Sequence, residues 1–201
     1  MSGTRSALGL RVHSGWAAAV VVAGAPGALS ILDRRRLVLA DGGDLPGSKQ
    51  PYHALEGREG SDARTMRERF VEDARRRAVE ELRTALRDAA AAGHALRRCG
   101  LLLASGRPLP ELSRVLASHA LIHTADGVHF RDALAHAAGS LSLKVVSIPE
   151  REAEARAAAA AGVPAEELRS RIAGLGKTLG PPWTQDEKLA ALAGLLALAA
   201  G

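Results

Sequence analysis

Three consecutive strand-like segments in the first forty residues constrain the fold more than any other feature of this chain. Residues 7–13 alternate loosely between apolar and polar side chains, and residues 16–23 are rich in small and β-branched residues. Residues 28–40 alternate with period two, although Asp33 and Arg35 interrupt the apolar face. Short turns join the three segments, so they must pair antiparallel. The charged middle of the third segment favours a position at the edge of the sheet.

After residue 60 the pattern changes to alternating helices and strands. Apolar residues with helical spacing follow Ser61, Gly127 weakens a second helical stretch, and Thr184 with Glu187 forms a capping box before the last helix. We predict strands at 98–105 and 143–148, helices at 61–92, 111–139, 150–161, 164–175 and from 185 onward, and a loop at 176–183.

This order predicts one α/β domain over residues 1–201. Its mixed five-stranded sheet has three antiparallel strands, then parallel strands, with helices on both faces. We expect a long loop at 41–60 and a helical insertion at about 150–175. The insertion has faces of small residues that could be buried in a homo-oligomer. A single cysteine, Cys99, and the lack of a long apolar run or signal pattern favour a cytoplasmic protein that spans no membrane.

The positive net charge is compatible with nucleic acid as a partner. The net charge is +5 and nearly all basic residues are arginines. Clustered arginines gain affinity for nucleic acid by releasing counterions from phosphates. A GC-rich genome produces the same arginine-rich and alanine-rich composition without selection for binding. Aromatic residues make up only 2% of the chain, so stacking platforms for single strands are nearly absent.

Two short segments resemble a known superfamily. Residues 9–15, G-L-R-V-H-S-G, lie in the frame of the G-[IL]-D-x-G-S motif, and residues 185–191, Q-D-E-K-L-A-A, are similar to a resolvase-type final helix. With the strand order, these segments resemble the ribonuclease H-like superfamily, which includes resolvases of the RuvC type and actin-like ATPases. The resemblance implies a ribonuclease H-like fold and a metal-ligand role for Asp186.

The chain departs from that superfamily at its carboxylates. The first-strand aspartate, which bridges two magnesium ions, is replaced by Arg11, and residues 101–105 end without the expected glutamate. Two-metal catalysis depends on such bridging carboxylates, which arginine cannot supply. Arg11 and His13 then stand where metal ligands normally stand, in a phosphate-binding or repurposed site. We predict catalytic roles for Arg11, His13 and Asp186.

A histidine-rich stretch at residues 118–130 carries a second candidate site. In a helix, His119, His123 and Asp126 fall at i, i+4 and i+7 on one face. Two imidazoles and a carboxylate could hold a divalent zinc, manganese or iron ion, completed by His13 or water. The alternative is a helix that uses its histidines at a protein interface. We expect His129 and His136 to lie on the surface.

Two functions remain open from the sequence. The first is nucleic-acid or phosphoester processing, with a divalent metal ion held by the histidines and Asp186 while Arg11 stabilises phosphate charge. The second is a catalytically inactive binding or interaction module of the same fold. The sequence does not decide between an enzyme and a binding protein.

Overall fold

The computed structural model describes residues 5–104 and 108–201, apart from the side chains of residues 177 and 178. A five-stranded sheet with the order β3-β2-β1-β4-β5 forms its centre. β1 pairs antiparallel with β2 and β2 with β3, whereas β4 runs parallel to both β1 and β5. The predicted mixed sheet is confirmed. The strands are β1 (Ser6–His13), β2 (Trp16–Ala25), β3 (Ala28–Val38), β4 (Arg98–Leu103) and β5 (Lys144–Pro149).

β3 is an edge strand, as its charged middle predicted. Arg35 donates to Asp33 on its own strand at 2.6 Å and to Asp88 on the helix beside it at 2.9 Å. Both carboxylates are partly exposed. The charges on β3 are therefore paired at the rim of the sheet instead of being buried in the core.

Helices cover both faces of the sheet. One core joins β1 and β4 to α1 and α3, and the other joins β2 and β4 to α4, α5 and α6. In the described ranges, none of the helices is both long and apolar enough to cross a membrane. The helices are α1 (Gly60–Ala91), α2 (Leu112–Leu116), α3 (His119–Ser140), α4 (Glu150–Ala161), α5 (Ala165–Leu179) and α6 (Gln185–Ala199), with a 3-10 turn at His53–Leu55.

Glycines let α6 approach the sheet closely. A Cβ on Gly9 of β1 would overlap the carbonyl oxygen of Ala190, and one on Gly100 of β4 would overlap that of Ala193. Both positions need glycine because the obstructing atoms belong to the helix backbone. This contact fixes the N-terminus of α6, which begins with the predicted capping box of Thr184 and Glu187, near the end of β1.

Two predictions about the helices were wrong. The stretch 111–139 is a broken helix, as expected, but the break lies at Ser118, whose backbone is extended, and Gly127, the predicted weak point, lies inside the continuous helix α3. The region 176–183 was predicted as a loop, but α5 continues to Leu179. Its continuation is stabilised by Trp183, which packs across Gly176 and donates from Nε1 to a carbonyl of α5 at 2.9 Å. The end of the predicted strand 98–105 lies outside the described residues.

The small residues of α4 are buried within the chain. Ala153, Ala157 and Ala158 are buried in the core that also contains α6. The alanine-rich surface on which we based the possibility of a homo-oligomer is thus partly covered by the protein itself, and self-association stays a prediction.

Candidate functional site

Three histidines from two distant segments converge at one point and form the histidine cluster, His53, His119 and His123. One ligand nitrogen from each lies within 4.8 Å of the other two. The Nε2 atoms of His119 and His123 are 3.1 Å apart, as expected for residues one helical turn apart at the start of α3. His53 comes from the 3-10 turn, and its ring centroid lies 4.5 Å from that of His123. His119 and His123 are exposed, whereas His53 is half-buried.

Asp126 is the buried anchor of this cluster. Only 2% of the residue is exposed. One carboxylate oxygen accepts a hydrogen bond from the backbone N–H of Tyr52 at 2.7 Å, and the other lies 2.5 Å from Nδ1 of His53. An ionised carboxylate can only accept, so Nδ1 carries the proton in this contact, and in the neutral imidazole the lone pair is then on Nε2.

The structure places the three predicted metal-ligating residues in two different environments. His119 and His123 face each other as the helical spacing required. Asp126 instead directs both oxygens to the segment that carries His53. The third imidazole of the cluster is thus His53, which we had not included. Its position in the long loop 41–60, a kind of segment that is often functional, was the only signal in the sequence.

A second group of charged residues, the strand-end cluster, contains Arg11, His13, Glu150 and Asp186. The Arg11 guanidinium contacts the carboxylate of Asp186 and lies 3.3 Å from that of Glu150. Nε2 of His13 lies 3.0 Å from the same Asp186 oxygen and 2.7 Å from Nη1 of Arg11. The three residues that we predicted as catalytic are therefore in direct contact.

Sheet topology explains this convergence. Arg11 and His13 lie at the carboxyl end of β1, Glu150 follows the parallel strand β5, and Asp186 lies in the first turn of α6. Carboxyl ends of parallel strands share one edge of a sheet, where ligands bind in open α/β folds. Glu150 was missed, although its position directly after a strand could have identified it.

An aromatic stack with Trp16 holds the ring of His13 in place. It stacks on Trp16 with 4.2 Å between centroids and an interplanar angle of 9°. The guanidinium of Arg36 lies 4.0 Å from the centroid of the Trp16 ring. Trp16 is therefore a rim residue that orients His13 toward Asp186.

A cleft of about 670 Å³ lies between the end of β4 and α3, and we call it the β4–α3 cleft. Leu103 and Ala104 line it from the end of the strand, and His123 and Arg131 line it from positions about two turns apart on the helix. The histidine cluster thus opens into this cleft through His123.

Arg131 has an unusual environment in the β4–α3 cleft. Its buried Nε has no hydrogen-bond partner, and no carboxylate of the described residues forms an ion pair with its guanidinium. Burial lowers the pKa of Arg131; the charge of Glu150 raises it, that of Arg11 lowers it, and that of Asp132, which also lines the cleft, raises it. Its Nη1 would lie 2.9 Å from a Cβ on Gly127, so the side chain lies across that glycine.

Arg131 connects the two clusters. It shares the β4–α3 cleft with His123, and it lies within electrostatic range of Arg11 and Glu150. The described lining of the cleft comes from β4, residues 108–109 and α3. Among the described residues, no hydrogen bond or ion pair joins the strand-end cluster to the histidine cluster, so they form two groups instead of the single ligand set predicted from the sequence.

The prediction that His129 lies on the surface was wrong, whereas His136 is exposed. His129 is 6% exposed and faces Tyr52, whose ring centroid is 6.2 Å away. It turns inward because α3 packs against both α1 and the loop. Burial lowers the pKa of His129 to about 4, so the imidazole is neutral at pH 7.

Comparison with known proteins gives a fold-level relationship. No family model matches the chain, and comparison with curated proteins gave no match either. Among solved structures, a Thermus thermophilus RuvC structure matches 96% of this chain and 92% of its own, with 14% sequence identity and a TM-score of 0.50. The chain has a ribonuclease H-like fold.

Arg11 changes the charge at the carboxyl end of β1 relative to the ribonuclease H-like pattern. In the resemblance drawn from the sequence, an aspartate occupies this place on β1 and Asp186 corresponds to a metal ligand. Here Arg11 engages both Asp186 and Glu150, so the carboxylates at this edge are balanced by a fixed cation. Within the described part of the chain, the imidazoles of the histidine cluster form a group that could hold a metal ion.

Proposed function

We propose that this protein hydrolyses phosphoesters, with nucleic acid as one substrate class, in the β4–α3 cleft. The observation that carries this proposal is Arg131, a half-buried guanidinium with no ion pair among the described residues. An unpaired charge that is partly removed from water is costly unless a ligand of opposite charge binds it. The ribonuclease H-like fold is consistent with such a substrate.

The planar guanidinium of Arg131 suits a phosphate. Arginine can donate two parallel N–H groups to two phosphate oxygens, a geometry that lysine does not provide. As negative charge develops on the phosphoryl oxygens in the transition state, a fixed guanidinium stabilises it further. Arg131 thus serves both substrate binding and charge stabilisation.

The remaining chemistry requires an activated water. In hydrolysis, the water oxygen bonds to phosphorus, the ester oxygen leaves with the bonding electrons, and a proton from the water is passed on to it. His123 lines the same cleft as Arg131, which supports a role for the histidine cluster in activating the water. Divalent-metal dependence follows if the imidazoles act as ligands.

Arg11, His13 and Asp186 have a supporting role in this proposal. Arg11 is engaged by two carboxylates, and its charge contributes to the lowered pKa of Arg131. We infer that the strand-end cluster sets the electrostatic potential around Arg131, and that His13 is available for proton transfer next to Asp186.

Substitution of Arg131 tests the proposal. The assay measures hydrolysis of aryl phosphate mono- and diesters and of labelled DNA and RNA, with added Mg²⁺, Mn²⁺ or Zn²⁺. We expect Arg131→Ala to lower kcat/KM by about 10- to 100-fold, the value of one hydrogen bond between charged groups. Arg151→Ala is the control because its side chain is 80% exposed on α4. Equal activity of wild type and Arg131→Ala would exclude this site.

The alternative is a binding module without turnover. It is favoured by the strand-end cluster, where Arg11 engages the two carboxylates. In that case DNA, RNA or phosphate binds in an Arg131-dependent and salt-dependent manner while no product forms. Binding and product formation are measured on the same samples, so the two functions separate directly.

A further inference from the structure

We propose that His53, His119 and His123 bind one divalent transition-metal ion of the zinc class through their Nε2 atoms, leaving a coordination position open toward the β4–α3 cleft. The inference deepens the proposed function. It rests on that function only for the catalytic role of the bound ion. Metal binding itself is a separate property that is measured without any substrate.

The spacing of the nitrogens fits a single small ion. Zinc-to-nitrogen bonds are about 2.0–2.1 Å, so two nitrogens of a tetrahedral site stand about 3.3 Å apart. The Nε2 atoms of His119 and His123 are 3.1 Å apart, close to that value. One ligand nitrogen from each histidine lies within 4.8 Å of the other two, so a single ion requires these nitrogens to approach one another by at most about 1.5 Å.

The environment of His53 provides an independent argument. A metal-binding imidazole commonly donates its other N–H to a carboxylate, which fixes the ring orientation and strengthens the ligand. Nδ1 of His53 has such a partner in Asp126, which is 2% exposed and is itself held by the Tyr52 N–H. The buried carboxylate therefore fixes the orientation of one imidazole of the three-histidine group.

The ligand chemistry selects the class of metal. Neutral imidazole suits zinc, iron, copper and nickel, whereas magnesium prefers oxygen ligands and keeps several waters. The three ligands are all imidazoles, and Asp126 directs its oxygens to the loop. We therefore expect selection against Mg²⁺, in contrast to the carboxylate-bound magnesium that the sequence resemblance implied.

The open position gives the ion access to a substrate. Three protein ligands leave the fourth tetrahedral position for water or substrate, which is the arrangement of catalytic zinc sites. His123 belongs both to the histidine cluster and to the lining of the β4–α3 cleft, where Arg131 also lies. A phosphate held by Arg131 would face the ion.

Direct metal titration tests the inference. The full chain is stripped with a chelator, dialysed and titrated with Co²⁺ at pH 7.5, and Zn²⁺ affinity is measured by competition with a chromogenic chelator. We expect one ion per chain, visible absorption bands of four-coordinate Co²⁺, and displacement of Co²⁺ by Zn²⁺ but not by a large excess of Mg²⁺.

Variants locate the site. His123→Ala and His53→Ala should abolish the absorption bands, and Asp126→Asn should weaken binding by about 10- to 100-fold, as for other carboxylates behind metal-bound histidines. His136→Ala on the same helix is the control because His136 is exposed and is not part of the cluster. Circular dichroism melting of each variant without metal checks folding. His119 and His123 are exposed, so their replacement leaves the core intact.

The outcomes separate this inference from the proposed function. Binding of less than one Co²⁺ per chain, or equal binding by wild type and His123→Ala, would overturn the metal site. Stoichiometric binding that depends on the three histidines supports the site even when no phosphoester is hydrolysed, and only the proposed function then fails. Hydrolysis that persists in His123→Ala but is lost in Arg131→Ala supports substrate binding by Arg131 and contradicts activation of the water by the histidine cluster.

Discussion

Asp126 and His53, 73 residues apart in the chain, are joined by a hydrogen bond of 2.5 Å between Oδ2 and Nδ1. The same carboxylate accepts the backbone N–H of Tyr52, so one buried side chain attaches the long loop to α3. This link brings His53 against His119 and His123 and is the structural basis of the histidine cluster.

Asp126→Asn should lower the free energy of unfolding by about 1–3 kcal/mol, the cost of leaving a buried hydrogen-bonding group without a matching partner. The amide oxygen can still accept from Tyr52, but the amide N–H groups then face Nδ1 of His53. Urea unfolding followed by circular dichroism measures the change. Asp62→Asn, which removes an exposed carboxylate paired with Arg58, should stay within about 1 kcal/mol of wild type. An equal effect of the two substitutions would contradict the anchoring role.

Gly127→Ala should separate stability from phosphate binding. Alanine favours a helix over glycine by about 1 kcal/mol, yet the new Cβ would lie 2.9 Å from Nη1 of Arg131 and displace the guanidinium. We expect unchanged or higher stability together with weaker phosphate binding and lower turnover. Thermal melting and phosphate titration measure the two effects.

Gly139→Ala on the same helix is the control for that experiment. A Cβ at Gly139 would meet no atom within 4 Å, so the gain in stability should occur without any change in phosphate binding. If both alanine variants bind phosphate as wild type does, Arg131 does not depend on Gly127 for its position.

Gly100→Ala should destabilise the fold by about 3 kcal/mol or more, because the added methyl overlaps the Ala193 backbone and neither β4 nor α6 can move freely. Gly174→Ala on α5, where a Cβ would meet nothing within 4 Å, serves as the control and should leave stability unchanged or raised. Equilibrium unfolding in urea compares the two. Similar midpoints would show that α6 is not in close contact with the sheet.

His129 should make the protein less stable in acid. Burial lowers its pKa from 6.5 to about 4. A hydrogen bond with the Phe70 backbone opposes this effect, and the charges of Arg67 and Arg75 lower the pKa further. The unfolded chain therefore binds the proton more readily, so stability falls as the pH drops below 6.5 and levels off below about 4. At pH 5 this group alone should cost about 2 kcal/mol relative to pH 7.5.

His129→Gln provides the comparison for that pH dependence. The difference in unfolding free energy between pH 7.5 and pH 5 is measured for both proteins, because other histidines titrate in both. We expect the wild type to lose about 2 kcal/mol more than the variant. Identical losses would mean that His129 is not neutral in the folded protein.

The sheet could be predicted from the sequence because each strand carries its own local pattern. The three opening segments and the capping box of Thr184 were found in this way. Topology also brought Arg11 and Asp186 together, since the end of β1 and the start of α6 share one edge of the sheet.

The site residues that were not predicted from the sequence are brought into place by packing between distant segments. His53 reaches the cluster only through Asp126, and no local pattern reports a contact across 73 residues. Arg131 resembles the other arginines in the sequence, and its lack of an ion pair with any described residue is visible only in the folded structure. His129 was assigned to the surface because helical spacing gives a side chain's direction along α3 but does not show what packs there.

The most direct test of a phosphate-binding cleft with a histidine-bound metal ion is the absorption spectrum of the Co²⁺-loaded protein during titration with inorganic phosphate. We predict that phosphate shifts the Co²⁺ bands saturably in the wild type, and that about 10- to 100-fold more phosphate is needed in Arg131→Ala. Arg151→Ala should titrate like the wild type. A Co²⁺ spectrum that phosphate does not change, or one that changes equally with and without Arg131, would contradict the proposed site.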